Sequence, residues 1–252
     1  MSDTLVRAGV SLHGVLRDIE DLCHLDEPAR QAIGQKKLIV RFDVPGLTPL
    51  NLRFFKGRCH AFSGSQGHRD IHLRFVSPQH FLDMMDGTKN PIPVRGLSKL
   101  SFMTKEFSVL ADRLSHYLRY DPALAADEGY RSNSTILSAY AAFYGLAQVA
   151  NLSELGQVIS RQIEDGDVDI EVKGGPCLHM QFRKGHCTTR KGLSAKPKAR
   201  MIFKDIDLAG QILMGERDSF AAIGGGELAI WGRVPMIDQI NKLLGLLPAY
   251  LS

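Results

Sequence analysis

The sequence of 252 residues has few features of secreted, membrane or metal-dependent proteins. It has four cysteines and no Cys-x-x-Cys pair, so neither a disulfide framework nor a zinc ribbon is indicated. No apolar run approaches the roughly 20 residues of a membrane span, and charges interrupt the N-terminal pattern where a signal peptide needs an apolar core. We therefore expect a cytoplasmic protein with free thiols.

Signatures of catalysis are also missing. The triplet His-Arg-Asp at 68–70 lacks the Asn that follows it in a kinase catalytic loop. The glycine-rich segment "IGGGELAI" at 223–230 lacks the Gly-Lys-Ser/Thr ending of a phosphate-binding loop. No Ser or Cys lies in a nucleophile elbow. We expect no catalytic residue, no cofactor and no enzyme activity.

Four possible zinc ligands lie within eleven residues: Cys177, His179, His186 and Cys187. If Lys184-Gly185 is a two-residue hairpin turn, Cys187 lies on the face of Phe182, and both histidines lie on the opposite face. His179 and His186 would then be on the order of 13 Å apart, whereas zinc bonds measure about 2.1 to 2.3 Å. This geometry predicts a buried cysteine and no metal site.

An internal repeat is what the sequence does contain. Pairing residues 38–105 with 166–233, a shift of 128, gives 13 identities in 68 positions, where typical composition would give roughly 4. The segments "RFFKGRCHAF" and "QFRKGHCTTR" share Phe, Lys-Gly and Cys. Glycines at turns and apolar residues at period 2 are what a duplicated sheet would retain. We predict cross-strand pairs Phe54/Cys59 and Phe182/Cys187 on the buried face of each copy.

Each half is expected to contain two helices, four strands, a short helix, a fifth strand and a closing helix. The predicted fifth strands are "KLSFMT" at 99–104 and "ELAIW" at 227–231, and the closing helices are 107–118 and 235–247. A linker is predicted at 119–133.

Two finer predictions concern single residues. Alternation in "LNLRF" places Leu50, Leu52 and Phe54 on a buried face, with Asn51 and Arg53 on a wet one. Asn151 and Glu154 have the spacing of a capping box.

The segment 199–247 resembles the C-terminal half of the sterol-carrier-protein (sterol-binding domain) family. The resemblance rests on a strand, a short helix ending at Gly215, the motif "GELAIWG" from Gly226 to Gly232, and a Leu-rich closing helix. Residues 1–120 resemble the family more weakly, because "SKLSFMT" lacks both glycines of that motif.

This resemblance implies an α+β fold with two tandem domains, 1–124 and 125–252, each a five-stranded, largely antiparallel sheet covered by helices. It implies non-catalytic binding, and also transfer, of a lipid, fatty acyl chain or sterol-like molecule in an apolar tunnel. The competing hypothesis is an interaction or dimerisation scaffold with filled cores, accessory to a lipid or quinone pathway.

We expect the ligand-binding walls to come from the short and closing helices and the fifth strand, with each closing helix as a movable lid. The predicted wall residues are Met84, Met85, Phe102, Phe107, Leu110, Leu114, Ile212, Leu213, Phe220, Ile230, Met236, Ile240 and Leu244.

Charge suggests one further partner. Residues 172–204 contain nine Lys or Arg and no Asp or Glu, although the whole chain has a net charge of only +4. We expect residues 183–200 to form a solvated face, and the alternative is contact with an anionic membrane surface or headgroup. This stretch has no interleaved aromatic residue, which argues against nucleic acid. Trp231 is predicted on the face opposite Leu228 and Ile230, as a domain or subunit contact. The sequence leaves ligand identity and oligomeric state open.

Overall fold

A computed structural model describes residues 3–124, 126–213 and 216–251, apart from the side chains of Leu213 and Phe220. The chain divides into two compact units between Tyr120 and Asp121, called here the first and second unit.

The first unit begins with helices and continues into a sheet. A π-helical turn and a 3-10 turn connect its first two helices. Its elements are α1 (Asp3–Val10), α2 (Ile19–Leu25), α3 (Glu27–Ile33), β1 (Lys37–Asp43), β2 (Leu50–Phe55), β3 (Arg58–Ser63), β4 (Ile71–Arg74), α4 (Pro78–Met85), β5 (Ile92–Arg95), α5 (Ser101–Thr104) and α6 (Glu106–Leu118).

The second unit follows the same plan with a much longer first helix. Its elements are α7 (Glu128–Leu152), α8 (Glu154–Gln162), β6 (Gly166–Val172), β7 (Cys177–Arg183), β8 (His186–Lys191), β9 (Ala199–Phe203), α9 (Ile206–Leu213), α10 (Ser219–Gly224), β10 (Leu228–Gly232), α11 (Val234–Leu246) and α12 (Pro248–Leu251). The predicted linker is therefore too long, because its last six residues belong to α7, which Asp127 caps through the Tyr130 N–H.

The two sheets have equivalent strand orders, β3-β2-β1-β4-β5 and β8-β7-β6-β9-β10. In each, the central pair is parallel (β1 with β4, β6 with β9), and the other pairs are antiparallel. The fold is thus α+β with two five-stranded mixed sheets. Through the first four strands of each sheet the registers agree at a shift of 128, as in Val40 opposite Leu52 and Val168 opposite Met180.

The two Lys-Gly hairpins have the predicted register. Phe54 pairs with Cys59, and Phe182 pairs with Cys187. Both turn residues have positive φ in each copy, 48° and 73° for Lys56-Gly57 and 50° and 75° for Lys184-Gly185. That is the type I′ geometry, whose twist matches the flanking strands and which favours glycine.

The predicted fifth strand of the first unit is wrong. Residues 99–104 lie in a helical segment, and the strand is β5, eight residues earlier, in "PIPVRG". Pro93 argues against a strand interior, but β5 is an edge strand, where a missing N–H is tolerated. Gly96 then corresponds to Gly232: each has positive φ, and an added Cβ would collide with the backbone before the fourth strand.

The predicted Asn151 capping box is also wrong. Helix α7 continues to Leu152, and Ser153 caps α8 by accepting a hydrogen bond from the Gly156 N–H. The Asn151 side chain instead binds both backbone groups of Cys187, accepting from its N–H and donating to its carbonyl, each at 2.8 Å. It thereby fixes α7 to the outermost strand, β8.

Candidate functional site

The candidate site in each unit is the apolar inner face of the sheet with its covering helices. In the first unit Leu50, Leu52 and Phe54 are fully buried on this face, as predicted. In the second unit Met180 and Phe182 occupy the corresponding positions and are also buried.

In the first unit, aromatic rings fill the space between sheet and helices. Phe102 on α5 lies 5.1 Å from Phe54 and 6.4 Å from Phe107 between ring centroids, and Phe107 on α6 lies 5.8 Å from Phe42. All four side chains are buried. Rings at these separations form a continuous packed layer between strand and helix.

The other predicted wall residues of the first unit divide between core and margin. Leu110 and Leu114 are buried on α6, while Met84 and Met85 on α4 are half-buried.

In the second unit the equivalent layer lacks rings from the closing helix. Helix α11 contains no aromatic residue and buries Met236 and Ile240 instead. Three predicted wall residues are only half-buried: Ile212 on α9, Ile230 on β10 and Leu244 on α11. Ile230 lies opposite the buried Met201 of β9, so it belongs to the inner face. The predicted wall side chains of Leu213 and Phe220 lie outside the described residues.

A charged cluster fixes the closing helix of the first unit. Asp26, 2% exposed, caps α3 and receives hydrogen bonds from two groups on α6, the Arg113 guanidinium and the Tyr117 hydroxyl (2.9 Å). Burial alone would raise the pKa of Asp26, but these hydrogen bonds and that of the Ala29 N–H outweigh it and lower the pKa.

In the second unit a neutral contact occupies the corresponding place. The Tyr250 hydroxyl on α12 donates to the Ser153 hydroxyl, the cap of α8, at 3.3 Å. A neutral hydroxyl pair is weaker than charge-assisted hydrogen bonds to a buried carboxylate.

The opposite, outer face of the first sheet is less wet than alternation predicts. Asn51 is fully buried, because the β3–β4 loop folds over it. Arg41, 3% exposed, donates to the Asn51 side chain at 2.8 Å and to the carbonyls of Ser65 and Gln66 at 2.7 and 2.9 Å. Burial and the nearby Arg69 lower the pKa of Arg41.

The second unit has the opposite charge at this central position. Asp169 lies 3.2 Å from Arg200 and accepts a hydrogen bond from the Ser194 N–H at 2.8 Å. Burial raises the pKa of Asp169. Arg200 also lies 5.7 Å from the ring centroid of Trp231, which is 58% exposed.

The basic stretch 183–200 is partly neutralised by carboxylates from elsewhere in the second unit. Its ion pairs include Arg183–Asp167, Lys198–Glu164 and Arg200–Asp169. Contact of this stretch with a membrane remains a prediction.

Groups that could carry catalysis or metal binding are sparse. Burial raises the pKa of the Cys187 thiol, which keeps it protonated. Over the described ranges, no three His, Cys, Asp or Glu side chains are grouped to hold a metal ion. Among the helices of those ranges, none combines the length and apolar character needed to cross a membrane.

Comparisons with known proteins concern the fold. No family model and no curated protein matches the chain. Among solved structures, a "UbiJ-SCP2 Ubiquinone synthesis protein" is 19% identical, with TM-score 0.34, over 40% of this chain and 88% of its own. Sterol carrier protein 2 from Yarrowia lipolytica is 15% identical, with TM-score 0.32, over 40% and 91%. The sec-alkylsulfatase Pisa1 from Pseudomonas sp. is 13% identical, with TM-score 0.29, over 58% and 28%.

Proposed function

We propose that the chain contains two tandem domains of the sterol-carrier type, and that the second binds a hydrophobic molecule between its sheet and α9–α11. The observation that carries this proposal is a closing helix without aromatic rings beside the half-buried Ile212, Ile230 and Leu244 at the margin of an otherwise buried apolar face. Sites for apolar ligands are clefts or cavities lined mainly by hydrophobic side chains, and we place the opening of such a cleft at this margin. Burial of ligand surface would contribute about 25 cal/mol per Å².

The closing helix supports the same assignment. Entry of a ligand requires α11 to move. The neutral Tyr250–Ser153 contact holds the next helix, α12, and opposes such movement less than the Asp26 cluster opposes movement of α6. The unbranched Met236, buried on α11, can adapt to ligands of different shape.

The first unit favours the second candidate function, a scaffold. Its predicted wall residues on α5 and α6 are buried in contact with one another, and its closing helix is fixed by a buried charge cluster. We propose that this unit serves as a rigid interaction module. We assign no catalytic role to either unit.

The test is extraction of the purified full chain with organic solvent followed by mass spectrometry, together with titration of a fluorescent fatty acid. We expect about one hydrophobic molecule per chain. Ile230→Gln and Leu244→Gln should each weaken probe binding at least about fivefold, since each places an amide in an apolar site. Met84→Gln is the matched control in the first unit and should leave probe affinity unchanged. An extract without a hydrophobic molecule, together with no gain in probe fluorescence, would contradict the proposal.

A further inference from the structure

The outer face of the first sheet carries a concentration of cations that the second sheet lacks. Alternation and strand register place six cations and one carboxylate on it: Lys37, Arg41, Arg53, Arg58, Arg74, Arg95 and Asp43. The outer face of the second sheet is balanced, with three of each sign: Arg183, Arg190, Arg200, Asp167, Asp169 and Glu171. The first outer face is therefore suited to an anionic partner.

Acidic side chains within residues 3–124 do not neutralise this face. Arg53, Arg58, Arg74 and Arg95 form no ion pair with any carboxylate of that range. Nearby carboxylates have partners other than these four arginines: Glu20 binds Arg17 and His60, Asp70 binds Lys99 and the Ile39 N–H, and Asp43 binds His72.

Aromatic rings alternate with these cations at the hairpin end of the face. The Phe55 ring is 46% exposed, with the ammonium groups of Lys37 and Lys56 at 6.0 and 5.2 Å from its centroid. The half-buried Phe62 lies under the Arg53 guanidinium at 5.2 Å and stacks on His60 at 6.0 Å, with 22° between the rings.

The arrangement is a regular grid. Phe55 lies between Arg58 and Lys37 across the strands, and Arg53 lies between His60 and Ile39 in the next row. Phe62 follows one row further, about 13 Å along the strands from Phe55. The rings of Phe55 and Phe62 are thus separated by the row that carries the Arg53 guanidinium. The β3–β4 loop covers the part of the face around Arg41.

We propose that this hairpin end of the first sheet binds single-stranded nucleic acid, with Phe55 and Phe62 stacking on bases and Lys37, Arg53, Lys56 and Arg58 contacting phosphates. Planar rings interleaved with cations on one face of a sheet fit a polymer that alternates planar bases with anionic phosphates. Arginine, which dominates this face, both binds phosphate with two parallel donors and stacks on aromatic planes. A lipid surface would use the same charges, but its headgroups offer no bases on which the rings could stack.

The test is fluorescence anisotropy of a labelled 12-nucleotide single strand, as RNA and as DNA, with the full chain. We expect saturable binding that weakens with salt. A plot of the logarithm of the binding constant against the logarithm of salt concentration should have a slope of about −0.7 per phosphate contacted. Arg53→Gln makes this position like Gln181 of the second sheet and should weaken binding at least about threefold. Phe55→Leu should weaken it at least about fivefold, since stacking on one base contributes about 1–3 kcal/mol.

Controls separate stacking from charge alone. Arg190→Gln removes one positive charge from the second sheet, at the position corresponding to Phe62, and should change affinity less than about twofold. Phe55→Leu should leave binding to heparin, a polyanion without bases, unchanged. Absence of saturable binding to the single strand, an equal loss with Arg190→Gln, or an equal effect of Phe55→Leu on heparin would each overturn the proposal. So would preferential binding to phosphatidylserine-containing vesicles that the oligonucleotide does not compete.

Discussion

The two units use the same strand order and the same hairpins, yet they differ on both faces of the sheet. On the inner face, the first unit has four linked phenylalanine rings where the closing helix of the second supplies Met236 and Ile240. On the outer face, the central position is Arg41 in one and Asp169 in the other. Backbone register therefore tolerates large changes in side-chain chemistry, as long as each buried charge finds local partners.

The largest expected effect comes from breaking the aromatic layer of the first unit. Phe102→Ala should lower the free energy of unfolding by about 4 kcal/mol, since it removes a buried ring and leaves a cavity. Leu244→Ala in the second unit removes a half-buried side chain and should lower it by about 1 kcal/mol. Urea titration followed by far-UV circular dichroism measures both, and Trp231 fluorescence reports the second unit. Equal losses of stability for Phe102→Ala and Leu244→Ala would contradict the tighter packing of the first unit.

The sequence predicted the strands and their register well because turn glycines and period-2 apolar residues are local signals. Lys56-Gly57 and Lys184-Gly185 each specify a hairpin without reference to the rest of the chain. Strand β5 was not predicted because Pro93 is compatible only with an edge strand. Whether a strand lies at the edge depends on the assembled sheet.

The site was less predictable than the strands. Half-burial of Ile230 and full burial of Phe102 depend on how the closing helices pack, which periodicity does not specify. Arg113 and Tyr117 lie 87 and 91 positions after Asp26, so no short sequence motif could have predicted their cluster. One part of the cluster is local: Asp26 precedes Glu27-Pro28, the form of a helix cap, and its side chain accepts a hydrogen bond from the Ala29 N–H.

Acid should destabilise the first unit selectively. Burial lowers the pKa of His13 to about 4 from an ordinary value of 6.5, despite its hydrogen bond to the Thr48 carbonyl. Because the unfolded chain takes up this proton first, the His13 contribution is complete above pH 6.5 and is lost as pH falls towards 4, by about 3 kcal/mol in total. The described histidines of the second unit, His179 and His186, are not buried.

The measurement is urea unfolding at several pH values for the natural chain and His13→Gln. The amide of Gln can donate to the same carbonyl but does not titrate. Between pH 6.5 and 4 the natural chain should lose about 3 kcal/mol more than the variant. Parallel curves for the two proteins would show that His13 is not the group responsible.

Because the outer faces differ in their central charge, removing that charge should destabilise the first unit more than the second. Arg41→Met leaves the Asn51 oxygen and two carbonyls without their donor and should cost about 2 kcal/mol. Asp169→Asn retains an acceptor for the Ser194 N–H and removes a carboxylate whose pKa burial raises, so it should cost less than about 1 kcal/mol. Thermal unfolding measures the stability of both variants. A greater loss of stability for Asp169→Asn than for Arg41→Met would contradict this expectation.

The smallest expected effects concern contacts of α6, the closing helix of the first unit, and of α12, which follows the closing helix of the second. Tyr117→Phe removes a buried hydrogen bond to the Asp26 carboxylate and should lower the free energy of unfolding by about 1.5 kcal/mol. Tyr250→Phe removes a 3.3 Å contact between neutral hydroxyls and should lower it by less than about 0.5 kcal/mol. Hydrogen exchange sharpens the comparison, because amides of α11 should exchange faster than those of α6 and should be slowed by a bound fatty acid. Equal exchange in the two helices would mean that the second unit is as tightly closed as the first, and its half-buried margin would then be part of a filled core.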